Sequence, residues 1–164
     1  MRRLTGRIIF ITVLSWCFGV SAIPYLWAAE NTRIAIVDLD SQGDKAKEDE
    51  LGTMASQLLT AEFVKTGRFD VIERRALKKI VEEQQLGLSG LVDADTAARL
   101  GRVLGATYIV TGAVISYPRG MDLVVKIVET ESASIKVADR LSAGTSAALF
   151  RKIPGFVSQI ADQF

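Results

Sequence analysis

Histidine is absent from the 164-residue sequence, and cysteine occurs once, as Cys17. The missing histidine removes the side chain that serves most readily as a general base at neutral pH and that most often binds metals. A single cysteine cannot form an internal disulfide bond. The composition therefore argues against an enzyme, a metal protein and a disulfide scaffold, and we expect no catalytic residues, no metal ligands and no cofactor.

A strong charge of one sign is also missing. Once residues 1–29 are set aside, 17 basic and 19 acidic side chains are left, and the basic ones are spread along the chain. A nearly balanced surface of this kind does not indicate a nucleic-acid partner. The hydrophobic content of 49% is enough for a buried core, so we expect one domain over residues 30–164.

The first 29 residues have the pattern of a signal for export. A basic start, "MRRLTGR", leads into the apolar run "IIFITVLSWCFGV", and small residues precede Glu30, the first acidic residue. This order is typical of a secretory signal peptide, with cleavage expected after Ala28 or Ala29 and Ala22 as a second position. The alternative is an uncleaved anchor, because residues 8–29 are long enough to span a bilayer.

Cys17 raises the question of a lipid anchor. Bacterial lipoproteins are modified at a cysteine that ends the apolar run, but the bulky Trp16 stands where a small residue is expected. Lipidation therefore stays open. The predicted location is the periplasm, with attachment to the inner or outer membrane through the N-terminal segment as an alternative.

The chain from residue 31 alternates between strand and helix patterns. "RIAIVDL" (33–39) is typical of a strand buried on both faces, and the polar stretch 40–50 is predicted to be a loop. A helix follows from about Glu48 to Thr66, and Gly67 is expected to end it. Its predicted buried stripe consists of Leu51, Met54, Ala55, Leu58, Leu59, Glu62 and Phe63.

"FDVI" (69–72) is predicted to be the second strand, and a helical pattern begins directly after it. Glu73 lies where the helix dipole favours a negative charge, so we expect it to cap or brace this turn. Arg74 is then free to pair with a carboxylate of a neighbouring segment or subunit. A catalytic pair of Glu73 and Arg74 is the alternative, but no nucleophile, base or metal site accompanies it.

The next segment combines a leucine-bearing loop with a second short helix. Leu86, Leu88 and Leu91 are expected to insert into the core or contact a neighbour, and Asp93 lies where an N-cap belongs. The glycines of this loop follow no phosphate-binding order, so turn formation explains them. The predicted buried stripe of the helix is Ala97, Leu100, Val103 and Leu104, and Gly105 ends it.

The last third of the chain predicts three strands and a helix. Strands at 106–117, 121–130 and 134–143 are joined by turns too short for parallel crossovers, so they form antiparallel hairpins. The earlier strands are separated by helices and can pair in parallel. A final helix from Thr145, interrupted at Pro154 and Gly155, either covers the sheet or docks onto a membrane or partner.

These patterns predict an α/β fold, a two- or three-layer sandwich with a mixed sheet of roughly five strands. The carboxylates of Asp38, Asp40 and Glu73 follow the first two strands, where ligands bind in open α/β sheets. They could bind a cation, although solvated loop charges explain them as well.

Several motifs in order resemble the CsgG family of outer-membrane curli secretion proteins and their shorter periplasmic relatives. They are "IAIVDL", "FVKTGRFDVIERRALKKIVEEQQLGLSGLVD", "AARLGRVLGATYIVTGAVISY" and "LVVKIVETES", within residues 33–131. The resemblance implies a periplasmic α/β domain related to the amino-terminal domain of TolB. In the channel members, such domains form rings and add hairpins that cross the outer membrane.

The sequence departs from the channel plan. It has no lipobox before Cys17, no aromatic residue or asparagine in the loop after the first strand, and no room for membrane-crossing hairpins. We therefore expect a non-catalytic accessory or scaffold protein that binds protein partners in the cell envelope, with self-association as an open alternative. The competing hypotheses are a component of a curli-like secretion channel and a domain that binds a small ligand.

Overall fold

The structure is a computed structural model that describes residues 32–72 and 93–164. Its strands are β1 (Thr32–Ile36), β2 (Asp40–Gln42), β3 (Phe69–Ile72), β4 (Tyr108–Tyr117), β5 (Gly120–Glu129) and β6 (Ile135–Ala143). Its helices are α1 (Asp44–Glu48), α2 (Leu51–Thr66), α3 (Ala94–Leu104) and α4 (Ser146–Ala161). None of the helices within these described ranges is long and apolar enough to cross a bilayer.

The strands form one mixed sheet in the order β3-β1-β4-β5-β6, and β2 also pairs with β4. β1 runs parallel to β3 and β4, because helical segments separate these strands along the chain. β4, β5 and β6 are successive antiparallel strands with short connections. The predicted mixed sheet is confirmed. Within the described residues it has six strands rather than about five, because the short β2 was predicted to be part of a loop.

Helices cover both faces of the sheet, so the described part of the chain is a three-layer sandwich and the predicted fold class is confirmed. On one face, α2 and α4 pack on the sheet; this large core includes Ile34, Leu59, Phe63, Val110, Leu123, Leu149, Ile153 and Ile160. On the other face, α3 packs over a smaller core, which includes Ala35, Val37, Ala97, Leu100, Ile109 and Val128. β1 therefore contributes alternate side chains to both cores, as its apolar run predicts.

Each of the longer helices begins or ends at a residue suited to the task. The side chain of Asp93 accepts a hydrogen bond from the Thr96 backbone N–H at 2.8 Å, which confirms the predicted N-cap of α3. Gly67 and Gly105 end α2 and α3 in the left-handed conformation, as expected. Thr145 caps α4 by accepting from the Ala148 N–H.

Three predictions about the helices are wrong. The stretch after β1 is not a loop, because it forms β2 and α1, and α2 begins only after Glu50, which adopts a left-handed conformation. Met54 and Leu58 are predicted to be buried but are exposed on α2, and Val103 is 50% exposed on α3. The apolar periodicity predicted that these segments are helices. It did not distinguish the row of apolar residues that faces the sheet from the neighbouring row that is exposed.

The last helix is continuous, contrary to the predicted break at Pro154 and Gly155. Pro154 lacks an N–H and costs the helix one hydrogen bond, but its ring lies on the exposed side. Ile153 and Phe156, on either side of it, are buried in the large core. Packing on both sides of the proline therefore keeps the two halves of α4 in line.

Candidate interaction surface

The predicted site residues fall into two groups. Glu73, Arg74, Leu86, Leu88 and Leu91 lie outside the described residues, so their roles stay predictions. Asp93 is described, and its place is the exposed amino end of α3, where a hydrogen bond from Thr96 lowers the pKa of its carboxyl group. A role of Asp93 in assembly likewise stays a prediction.

The carboxylates after β1 have protein partners. The Ser56 hydroxyl donates to Asp38 at 3.2 Å, and the Gln42 amide donates to Asp40 at 3.0 Å. Within the described ranges, nowhere do three or more side chains of the metal-ligating types come together. The first bond ties Asp38 to α2 and the second lies within β2; the hypothesis of a cation site, which also involves Glu73, stays a prediction.

A different group of polar residues comes together on the three-stranded meander of β4, β5 and β6. Asp122 pairs across the strands with Ile115 of β4 and with Ser142 of β6. Tyr117 is two residues after Ile115, and Arg140 is two residues before Ser142. Both therefore lie diagonally from Asp122 on the same face of the sheet, in opposite directions along β5. The turn of only two residues between β4 and β5 holds this register.

This face, which we call the open sheet face, lies on the side of the sheet that α3 packs against, beyond the reach of that helix. It is defined by Ile115, Tyr117, Asp122, Val124, Lys126, Ala138, Arg140 and Ser142. The small core, which α3 covers, is confined to the other ends of β4 and β5, at Ile109 and Val128. Tyr117 is 46% exposed, and the Arg140 side chain is 67% exposed.

Asp122 is only 8% exposed although it carries a carboxylate. Its Oδ2 lies 3.7 Å from the Arg140 guanidinium nitrogen, which is the outer range of an ion pair. Its Oδ1 is buried without a hydrogen-bond partner among the described residues. A buried acceptor in this state is costly, so stability alone does not explain an aspartate here.

The environment of Asp122 favours its charged form. A hydrogen bond from the Ser142 hydroxyl lowers the pKa of the Asp122 carboxyl group, and Tyr117 and the positive charge of Arg140 act in the same direction, while burial opposes them. The same carboxylate raises the pKa of Tyr117, because the phenol hydrogen-bonds to it. Asp122 is thus a buried negative charge between an exposed tyrosine and an exposed arginine on one surface.

The arrangement offers contacts to another molecule. Tyrosine and arginine are the side chains that, with tryptophan, most often dominate protein–protein binding energy. Next to Tyr117 there is a cavity of about 200 Å³, lined also by Lys45, Ser116 and Thr145. It is smaller than the roughly 300 Å³ at which small-molecule sites begin, so the open sheet face is the better candidate for binding.

Sequence reasoning missed Tyr117, Asp122, Arg140 and Ser142. A usable signal was present, since the tight turn at Pro118 and Arg119 sets the pairing of β4 with β5 and strand alternation then places residues on faces. An aspartate in a largely apolar strand was the feature that called for an explanation.

Comparisons with known proteins match the chain to one family and to several solved structures. A family model described as "Curli production assembly/transport component CsgG" matches residues 22–123, which is more than half of the chain. No curated protein sequence matches the chain.

Similar folds occur in several solved structures. Lipoprotein GNA1162 from Neisseria meningitidis has a TM-score of 0.54 at 14% identity, covering 79% of this chain and 96% of that one. A PelC dodecamer from Paraburkholderia phytofirmans has a TM-score of 0.52 at 11% identity, covering 79% and 89%. The C-terminal domain of LpoB from Escherichia coli has a TM-score of 0.51 at 13% identity, covering 70% and 84%. At such identities the likeness establishes a shared fold only.

Proposed function

This chain belongs to the CsgG family, and we propose that it is a non-catalytic accessory or scaffold protein of the cell envelope that acts by binding other proteins. The open sheet face is its contact surface. The observation that carries this proposal is the exposure of Tyr117 and Arg140 on one face of the sheet, on either side of the buried Asp122.

A location in the periplasm or at the outer membrane fits the family and the relatives. The family description names an assembly and transport component, and one similar fold is described as a lipoprotein. The signal-like residues 1–29 agree with export.

A binding role also agrees with the chemistry of the site. Ser142 and Tyr117 approach Asp122, and a hydroxyl nucleophile in acyl or phosphoryl transfer needs an effective general base beside it. The lowered pKa of the Asp122 carboxyl group makes it a weak base. Its negative charge instead faces Tyr117 and Arg140.

Self-association is a second form that the same function can take. One similar fold is described as a dodecamer, so a second copy of the chain is a candidate occupant of the open sheet face. Closed rings arise when one surface of a subunit binds a different surface of the next.

The test uses a photo-reactive side chain at Ala138, which is exposed on the open sheet face, and at Gln57, which is exposed on α2 at the opposite face. We expect crosslinks to a defined protein from position 138 and not from position 57. Mass spectrometry of the product separates a second copy from another envelope protein. Equal crosslinking from both positions would argue against a specific surface.

The same crosslink is then measured in Tyr117→Ala and Arg140→Ala. Truncating a dominant interface residue costs about 2 kcal/mol, which corresponds to roughly thirtyfold weaker binding. Lys65→Ala on α2 is the matched control, because it removes an exposed positive charge far from β6. If both variants crosslink as efficiently as the control, the open sheet face is not the contact surface.

A further inference from the structure

The outer edge of β6 is a second place at which another strand could bind to this protein. β6 is the last strand in the sheet order and pairs with β5 alone in the described sheet. It is nine residues long. An edge strand of this length presents a row of backbone donors and acceptors that another strand could pair with.

Two hydrogen bonds identify which backbone groups of β6 point away from β5. The Arg140 N–H donates to Asp139 Oδ1 at 2.7 Å, and the Ser142 carbonyl oxygen accepts from Lys152 Nζ at 2.9 Å. In an antiparallel strand, the N–H and C=O of one residue point to the same side, and the side alternates along the strand. The outward-facing residues are therefore Ala138, Arg140 and Ser142.

Each of these two hydrogen bonds occupies a group that strand pairing would need. Asp139 turns its carboxylate onto the donor of the next residue along β6. Lys152 reaches the acceptor from α4, so the helix that covers the large core also covers part of the edge. A strand that added to this edge would have to displace both side chains from charge-assisted hydrogen bonds.

We propose that Asp139 and Lys152 close the edge of β6 against strand addition by a second copy of this chain. The strand has the features that invite such pairing: its length, its apolar residues Val137 and Leu141, and the exposed Ile135. Lys136 and Arg140 of the same strand are paired with Glu129 and Asp122 of β5, so the two residues that act on the outer edge are Asp139 and Lys152. Strand pairing between copies of the chain is therefore disfavoured at this edge.

This inference does not depend on the proposed function, because it concerns the edge of the sheet and not the open sheet face. The test compares wild-type protein with the double variant Asp139→Ala/Lys152→Ala by sedimentation velocity over a concentration series. We expect self-association at least about tenfold tighter in the double variant. The Arg140 amide hydrogen should exchange faster in dilute Asp139→Ala, because its acceptor is gone.

The matched control is Glu62→Ala/Lys65→Ala, which removes one negative and one positive charge from an ion pair on α2 and leaves the net charge the same. It should associate like the wild type. A gain in the control equal to that of the double variant would mean that charge removal, and not edge opening, drives association.

A third variant keeps the result specific to strand pairing. Adding Ala138→Pro to the double variant removes a backbone N–H that points outward. An edge strand tolerates proline at such a position. The gained association should then be lost. If the double variant associates no more than the wild type, or if the proline leaves the gain intact, the proposal is overturned.

Discussion

A Cβ atom placed on Gly52 would lie 2.1 Å from the carbonyl oxygen of Leu39. Gly52 is in the first turn of α2, and its N–H donates to the Ser41 hydroxyl at 2.9 Å. The amino end of α2 therefore rests directly on the backbone between β1 and β2. This close approach sets the distance between the helix and the sheet on the side of the large core.

Gly52→Ala is expected to lower the free energy of unfolding by about 3 kcal/mol, because the backbone of residues 39 and 40 cannot give way to a methyl group. Urea denaturation measures the change. Gly155→Ala is the matched control, since Gly155 is in α4 with open space around it. That substitution should raise the free energy of unfolding by about 1 kcal/mol. Equal effects of the two substitutions would contradict the close packing of α2.

Asp93→Ala removes the cap of α3 and is expected to lower the melting temperature by about 4 °C. The backbone and side chain of Thr96 both donate to this carboxylate, at 2.8 and 2.9 Å, so two hydrogen bonds are lost. The control is Asp95→Ala. Asp95 is in the first turn of α3, two residues after Asp93, and its side chain accepts no hydrogen bond from the described end of the helix. Calorimetry should show a smaller change for that control.

The contribution of Asp93 should depend on pH in a defined direction. Hydrogen bonds from Thr96 lower the pKa of this carboxyl group below its ordinary value of 3.8. A lowered pKa in the folded state means that the stabilisation is complete above 3.8 and is lost as the pH falls further, through the folded-state pKa. Asn caps helices without titrating, so the stability difference between wild type and Asp93→Asn should be constant near neutral pH and should decline in acid. A difference that grows in acid would contradict this sign.

Asp122→Asn should release the phenol of Tyr117. The carboxylate raises the pKa of Tyr117 above 10.0 by accepting its hydrogen bond and by its negative charge. Without that charge, the pKa of Tyr117 should fall back toward 10.0, and NMR titration of the labelled ring carbon measures it. Asp139→Asn removes a carboxylate whose hydrogen bond is to the Arg140 N–H instead, so it serves as the control. An unchanged titration in Asp122→Asn would mean that the two side chains are not in contact.

Pro154→Ala should raise the free energy of unfolding by about 1 to 3 kcal/mol, because it restores a backbone donor inside a helix that is already continuous. Chemical denaturation checks the sign. Pro118→Ala is a useful contrast, since Pro118 is in the β4–β5 turn, where a fixed φ reduces the entropy of the unfolded chain. That variant should lose about 0.5 kcal/mol. A loss of stability in Pro154→Ala would show that the proline is needed to shape α4.

The sequence alone determined the class of fold, the order of the main elements and the family. Apolar runs and short turns were sufficient for the fold class and the order of elements, because the period of buried residues differs between helices and strands. The family followed from the resemblance of several motifs that occur in order. The cap at Asp93 and the helix ends at Gly67 and Gly105 were also predictable, since each depends on a local backbone requirement.

Only the tertiary structure decided which apolar residues are buried and which polar residues meet. Met54 and Val103 belong to apolar rows in sequence, yet both are exposed because the sheet contacts a neighbouring row. Asp122 joins Tyr117 through the β4–β5 pairing and Arg140 through the β5–β6 pairing, and Lys152 reaches β6 only because α4 packs across the sheet. The tight β4–β5 turn gave a signal for the first of these contacts, but the other two depend on register and packing that the local pattern of residues does not encode.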